Sequence, residues 1–440
     1  MRRFIALIGF VVLLMAGVAG GETYTLDICI QMAMKTDPNL VRFRNAVKVA
    51  DATVWQQAGA FLPSVGASYS QNQVNRGPLS PQYRYIQDLG QVVNVADSNS
   101  VISKGYSVGV SAGMTLFDGL SNVWNYLGSR ASKRGAEYDF AAAQSDLVYL
   151  IKIDYYLVLK AKRDLDVAGE AVKRSEELLK LFQEKYDLGS ASLSEVLKQK
   201  VQYGNDKLTL VLAGRNMEAS FDNLALDVGL DPKTDFDVAD AELKREPAEN
   251  IDGLIEEALE THPSLLSSKA GVDAYRYDVR SAWGNYFPSL SLSYSYGWNK
   301  DRFRDIVKAG PFDHSGSIHL SLNYNIFDGF SRERNMVRAK TGLNTARASF
   351  AYERNRVVKD IQDAYLGIKV ADETLIVTEE TERAANEDFQ LVQTKYNLGA
   401  AALWELLDSQ VSLREAQFSK VKAEFDYNLA QAKLQNATGK

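Results

Sequence analysis

The chain has 440 residues, with 50 Lys and Arg against 56 Asp and Glu, and its net charge of −6 argues against nucleic acid as its main partner. An apolar fraction of 46% and a charged fraction of 24% are those of a folded protein, and the length allows two or three ordinary domains. One cysteine, Cys29, excludes an intrachain disulfide and a cysteine-based zinc cluster, and it reads as a small buried apolar residue.

Arg2 and Arg3 precede an uncharged apolar run from Phe4 to Ala19, and Gly17-Val18-Ala19 supplies the small residues of a cleavage site, so residues 1–21 are predicted to be a secretory signal peptide. The competing reading is a retained anchor, which needs roughly 20 apolar residues. No cysteine follows at a lipoprotein processing position, and no later segment approaches a transmembrane helix. Entry into a membrane would therefore have to be by strands.

Two helices come next, Leu26 to Thr36 and Asn39 to Gly59, broken at Asp37-Pro38. Strands are predicted at about 61–74 and 104–117, joined by a polar loop from about Gln71 to Lys104. In the second strand Tyr106, Val108, Val110, Ala112, Met114 and Leu116 alternate with small or polar residues. No proline occurs from Leu120 through Leu230, where Ile151, Val158, Leu165, Val172, Leu179 and Tyr186 fall seven apart, with Ala161, Ala168, Ser175 and Phe182 in an offset row. That heptad predicts coiled-coil packing. Gly189 suits a left-handed helix cap, and Ser192 with Glu195 forms a capping-box pattern, so residues 120–230 read as one helical hairpin. Its outgoing arm would be about 100 Å long at 1.5 Å per residue.

Residues 231–252 are polar and proline-flanked and read as a linker, after which the pattern repeats over 253–440. Helices Ile251 to Thr261 and Ser264 to Gly284 flank His262-Pro263, strands follow at about 287–298 and 315–327, and a second hairpin runs over 330–437. Phe117-Asp118-Gly119 returns 210 positions on as Phe327-Asp328-Gly329, and Lys185-Tyr186-Asp187-Leu188-Gly189 as Lys395-Tyr396-Asn397-Leu398-Gly399. Leu62-Pro63-Ser64 returns 225 positions on as Phe287-Pro288-Ser289. Glu382 is the one break in the second heptad. The two repeats, 22–230 and 253–440, thus each hold two alternating strands and one long helical hairpin. A soluble half-buried sheet would alternate in the same way. Four strands cannot close a barrel with an interior, so membrane strands would require several chains to share one barrel.

In their order and constant spacing, the duplication, the proline-led strand pairs, the Phe-Asp-Gly exits and the Tyr-x-Leu-Gly turns resemble the outer-membrane efflux proteins, the TolC-like channels, over residues 22–440. The resemblance implies a mainly α chain with a small membrane β-barrel. It implies a homotrimer whose 12-stranded barrel sits in outer-membrane lipid and whose α-helical tunnel crosses the periplasm of a Gram-negative type envelope. It further implies a passive exit channel for a tripartite efflux pump or a type I secretion system, working with a periplasmic adaptor protein and an inner-membrane pump. The docking turns would be Tyr186, Leu188, Gly189, Ser192 and Val196, with Tyr396, Leu398, Gly399 and Leu403 in the second repeat. Glu405 and Asp408, one helical turn apart, match the family's gate carboxylates, a ring that favours cations. By their residue types alone they read as a solvated surface acid pair. The arginine that some members place two residues after the second glycine is Ala401 here, with Lys395 and Lys198 the nearest basic residues. Trp404, beside Glu405, would either plug the closed tip or fill a helix interface.

No nucleophile–base arrangement, phosphate loop or metal-ligand cluster is present, and His262, His314 and His319 have no zinc-site spacing. No enzyme activity, cofactor, metal or nucleic-acid partner is expected. The alternative from another functional class is a soluble periplasmic coiled-coil adaptor or structural protein.

Overall fold

The computed structural model describes residues 22–77, 82–94, 101–231, 233–240, 245, 250–310 and 313–439. The predicted signal peptide, 1–21, lies outside them. In chain order the elements are β1 (Glu22–Tyr24), α1 (Leu26–Thr36), α2 (Pro38–Gly59), β2 (Ser64–Arg76), β3 (Tyr83–Ile86), β4 (Gln91–Asn94), β5 (Val101–Phe117), α3 (Ser121–Asp187), α4 (Leu193–Val228), β6 (Phe236–Val238), α5 (Ile251–Thr261), α6 (Pro263–Gly284), β7 (Ser289–Lys300), α7 (Phe303–Val307), β8 (Ser315–Asn323), α8 (Ser331–Asn397) and α9 (Leu403–Ala437). They form two compact units, and each unit draws on both sequence repeats. One comprises Met1–Arg42, Ala141–His262 and Arg356–Lys440, and the other Phe43–Phe140 and Pro263–Asn355. No helix among the described residues is long and apolar enough to cross a membrane.

The unit of 43–140 and 263–355 is built on a four-stranded antiparallel sheet ordered β2-β5-β7-β8. The register sorts its side chains without exception along two cross-strand rows. Val65, Ala112, Tyr294 and Ile318 share one face, while Gly66, Ser111, Ser295 and Ser317 share the other. Val65, Tyr69, Ile318, Leu320 and Leu322 on the apolar face are all more than half exposed. On the small face Ser70 and Ser107, and Ser295 and Ser317, join hydroxyls at 2.6 and 2.8 Å, and His319 lies beside Ser317. Gly109 and Gly297 pair across β5 and β7, and a Cβ at Gly297 would stand 2.5 Å from the Val108 carbonyl oxygen, so the strands approach there only because both residues lack one.

The Phe-Asp-Gly motif turns strand into helix. Gly119-Leu120 and Gly329-Phe330 all have positive φ, between 65° and 69°, and for Leu120 and Phe330 this backbone is strained. The aspartates reward the turn: Asp118 accepts from the Asn122 amide at 2.8 Å, and Asp328 from the amides of Ser331 and Arg332 at 3.2 Å each. These are N-terminal caps on α3 and α8. Gly119 also seats against Gly284, where a Cβ would lie 2.2 Å from the Gly284 carbonyl oxygen.

The strands differ at their ends from the sequence expectation. β2 and β5 run further into the loop, to Arg76 and from Val101, while β8 stops at Asn323, four residues short. The loop between β2 and β5 holds the β3–β4 hairpin, and its shorter counterpart holds α7. Both α2 and α6 begin on their proline, whose missing N–H costs nothing at the first helical position.

α3 and α8 each run 67 residues, and their parts in the other unit, from Ala141 and from Arg356, fold back on α4 and α9, of 36 and 35 residues. On α3 the first heptad row is buried only at its start, at Ile151 and Val158, with Leu165, Val172 and Leu179 half-buried and Tyr186 exposed, whereas the offset row, Ala161, Ala168, Ser175 and Phe182, is buried throughout. Small residues at three of the offset positions let the helices approach closely. Glu382 breaks the second heptad because it pairs with Lys420 at 3.6 Å. The segment read as a linker, 231–252, contains β6, which pairs in parallel with β1. The Tyr155 hydroxyl clasps both, lying 2.6 Å from the Ala239 carbonyl and 3.3 Å from that of Tyr24. Cys29 is buried, as its residue type suggested, and burial raises its thiol to about 11.

Candidate functional site

The turns α3–α4 and α8–α9 carry the residues singled out in the sequence. In each, a glycine at φ +76° (Gly189) or +74° (Gly399) reverses the chain. The amides of Gly189 and Ser190 then return to the carbonyls of Tyr186 and Lys185 at 2.8 Å, and those of Gly399 and Ala400 to Tyr396 and Lys395 at 3.0 and 2.8 Å. The leucine before each glycine is left outside: Leu188 is 83% exposed and Leu398 79%. A leucine held this far into solvent on a short, internally bonded turn has no packing role within the chain and is available to a partner.

Beneath the turns lies a core of Leu178, Phe182, Val196, Phe389, Val392, Leu403, Leu406 and Leu413. Val196 and Leu403, assigned from the sequence to docking, are buried in it and support the turns from below. Tyr186 is exposed, whereas Tyr396 is half-buried, with its ring 5.3 Å from that of Phe182 and the Lys185 ammonium 4.8 Å from its centre. Burial, together with the facing Glu195 carboxylate, pushes the Tyr396 hydroxyl up to about 12. Glu195 and Tyr396 thereby tie one turn to the other. Lys185, not Lys395 or Lys198, is the base that reaches across, its ammonium 3.5 Å from the Asn397 side-chain oxygen.

The two helix starts differ. Ser192 makes a full capping box with Glu195: the Glu195 amide donates to Ser192 Oγ at 3.3 Å, and the Ser192 amide to Glu195 Oε2 at 2.6 Å. In the second repeat Ala402 replaces the serine and Glu405 replaces Glu195, so only half of the box forms. The Ala402 amide donates to Glu405 Oε1 at 2.9 Å. Glu405 is half-buried and Asp408 exposed. Asp408 stands where the first repeat has Lys198, so the first repeat keeps one carboxylate, Glu195, and the acid pair is a property of the second repeat alone. Trp404 is 67% exposed, which leaves it outside the helix interfaces of this chain.

Higher in the same helices is a buried polar stratum that the sequence did not disclose. Gln199 donates to the Ser175 carbonyl at 3.0 Å, Arg174 to the Gln417 side chain at 2.9 Å, and Arg414 to Asp206 at 2.6 Å. Burial lowers the Arg174 guanidinium. No group of three or more metal-ligating side chains gathers among the described residues.

Comparison with known proteins places this geometry. The Outer membrane efflux protein family profile matches residues 29–247 and again 254–440. The pyoverdine export outer membrane protein OpmQ of Pseudomonas aeruginosa is 24% identical over 94% of this chain and 83% of its own length. The outer membrane protein TolC of Vibrio cholerae is 23% identical over 92% of this chain and 89% of its own. The crystal structure of the outer membrane protein VceC from Vibrio cholerae superposes with a TM-score of 0.80 at 16% identity, covering 94% of this chain and 96% of that one. The chain belongs to the outer membrane efflux protein family, and it is an outer-membrane efflux channel.

Proposed function

We propose that the channel is a homotrimer in which four strands from each copy close a 12-stranded barrel and the long helices form a periplasmic tunnel. It is the passive exit duct of a tripartite efflux pump or a type I secretion system, fed through a periplasmic adaptor from an inner-membrane pump. Residues 1–21 are its removed signal peptide, and 22–230 and 253–440 are its two repeats.

The observation that carries this reading is the sheet itself. It is apolar on one face, small and polar on the other, and unpaired along β2 and β8 among the described residues. An open edge is not tolerated in lipid, and a head-to-tail ring of copies pairs β8 of one with β2 of the next and removes every edge.

The turns around Leu188 and Leu398 are the adaptor docking surface, resting on Val196 and Leu403, with Tyr186, Gly189, Ser192, Tyr396 and Gly399 setting their shape. Glu405 and Asp408 form the gate, where three copies bring their carboxylates to one constriction. The test is single-channel recording of the purified mature protein in a planar bilayer, with its mass measured in detergent. Trimers giving discrete cation-selective openings are expected. Monomers that fractionate with soluble periplasmic proteins and never conduct would replace this reading with a coiled-coil adaptor.

A further inference from the structure

Below the strand ends, between α3, α6 and α8, lies a polar cleft of about 550 Å³. Asn125, Asn285 and Asn335 line it with amides, Tyr275 adds a ring, and Asp278 and Arg338 add one charge of each sign. Its volume is that of a small-molecule site. Gly342 helps to hold it open, since a Cβ there would press on the Tyr275 ring at 3.1 Å.

The two charges are not spent on each other. Burial is the cause of the upward shift on Asp278, with no contribution from Arg338, and neither residue makes an ion pair among the described residues. Nor does the fold demand them. The internal repeat puts Thr53 at the position of Asp278 and Gly128 at that of Arg338, while Asn125 and Asn335 correspond. The same architecture is thus built once without the charges and once with them.

Depth narrows the ligand. Leu120, Trp283, Phe287, Phe327 and Phe330 are all exposed at the strand–helix junctions, the pattern of an interfacial aromatic girdle. Asn285 directly follows α6, and Arg338 is seven residues into α8, roughly 11 Å from its start. The headgroup layer is roughly 5–8 Å deep on each side of the hydrocarbon. A cleft that begins at the girdle with Asn285 and extends about three helical turns below it, to Gly342, opens where a lipid headgroup hangs.

We propose that this cleft binds the zwitterionic headgroup of a phospholipid in the inner leaflet of the outer membrane, its phosphate held by Arg338 and the asparagine amides and its ammonium by Asp278. The assignment rests on the channel reading, which sets the membrane boundary. A primary ammonium donates hydrogen bonds to a carboxylate and a quaternary one does not. Phosphatidylethanolamine is therefore the favoured probe over phosphatidylcholine, and over phosphatidylglycerol, which has no cation for Asp278.

The test is native mass spectrometry of the detergent-solubilised, delipidated channel titrated with each of these three lipids and with inorganic phosphate, alongside bilayer conductance. Phosphatidylethanolamine is expected to bind about tenfold more tightly than the other two, and Asp278→Asn and Arg338→Ala each to lose about tenfold, the worth of one charge-assisted hydrogen bond. Asp278→Glu should restore the preference, which separates headgroup recognition from a packing defect. Equal binding of the three lipids, variants that bind as the parent does, or inorganic phosphate competing as well as the lipid would each overturn the proposal. Normal conductance alongside any of these would leave the channel reading standing, whereas absent trimers and absent conductance in the parent would remove that reading first.

Discussion

Asp206 on α4 and Arg414 on α9 form an ion pair at 2.6 Å with the carboxylate almost wholly withdrawn from solvent, at 1% exposure. Gln202 shares the same carboxylate oxygen at 3.0 Å, and the other oxygen has no protein partner. Pairs of this kind are costly to break one-sidedly, because the remaining charge stays buried. Arg414→Ala is expected to destabilise the helical unit by about 3–5 kcal/mol, and the double change Asp206→Leu with Arg414→Met to recover most of that loss. Thermal unfolding in detergent measures both. A single variant as stable as the parent would show that water, not Arg414, solvates Asp206.

The half-formed box at α9 predicts a gain. Ser192 accepts from the Glu195 amide, and Ala402 has no oxygen to offer Glu405 in the same way. Ala402→Ser is expected to complete the box and stabilise α9 by about 1 kcal/mol. The check is the unfolding midpoint together with slower amide exchange over residues 403–406. An unchanged midpoint would mean that the α8–α9 turn holds its φ and ψ away from capping geometry.

Much of this architecture is legible in the amino-acid sequence. Proline-free blocks, heptads and left-handed glycines are local signals, and they located α3, α4, α8 and α9 with their turns. Period-two alternation located β2, β5, β7 and β8, because one face of each carries an alternating apolar run, Val65 to Tyr69, Tyr106 to Leu116, Leu290 to Trp298 and Ile318 to Leu322. β1 and β6 escaped, since three residues carry no period and their pairing joins Tyr24 to Val238 across the first repeat. The polar stratum escaped for a related reason. Asp206 and Arg414 are 208 positions apart, and nothing local distinguishes them from surface charges. At the turns the glycines and exposed leucines were legible, but Val196 and Leu403 proved to be floor rather than surface. Only the contact geometry separates those two roles.

Acidity provides a third test. Asp154 on α3 is raised to about 7, first by burial and then by the neighbouring Asp227 carboxylate of α4. Two carboxylates can hydrogen-bond only when one keeps a proton, so the pair is held together by that proton. The unfolded chain releases it near 3.8 and the folded chain near 7, so the folded state binds the extra proton between these values. The pair's contribution to stability is complete below about pH 4 and is lost as pH rises through about 7. The second repeat has Ala364 and Ala437 at the matching positions, so the acids are dispensable to the fold. Asp154→Asn should flatten the pH dependence of the unfolding midpoint between about pH 4 and pH 7. A slope equal to the parent's would place the titrating group elsewhere.

Docking makes a fourth. Because Leu188 and Leu398 are exposed and their turns are held by backbone bonds, replacing both with Asp is expected to leave trimer stability within about 0.5 kcal/mol of the parent. The same double variant should abolish crosslinking of the tip to a periplasmic adaptor and export in cells. Val196→Ala and Leu403→Ala, by contrast, remove floor and are expected to lower stability by about 1–3 kcal/mol. Full export with both leucines replaced would move the adaptor contact away from the turn tips.

The proposed gate carboxylates need a substitution that respects the second duty of Glu405. Glu405 is both a candidate gate charge and the cap of the Ala402 amide, so Glu405→Ala would confound lost selectivity with a frayed α9. Glu405→Gln keeps a side-chain oxygen for the cap and removes the charge, and Asp408→Asn does the same for its neighbour one turn on. In planar bilayers the double variant is expected to lose most of the preference for cations and most of the block by millimolar divalent cations, since both depend on the summed charge of the ring. Its unfolding midpoint should match the parent's. Reversal potentials identical to the parent's in a salt gradient, from trimers of unchanged stability, would mean that these two residues are a solvated acid pair and that the constriction is lined by other groups.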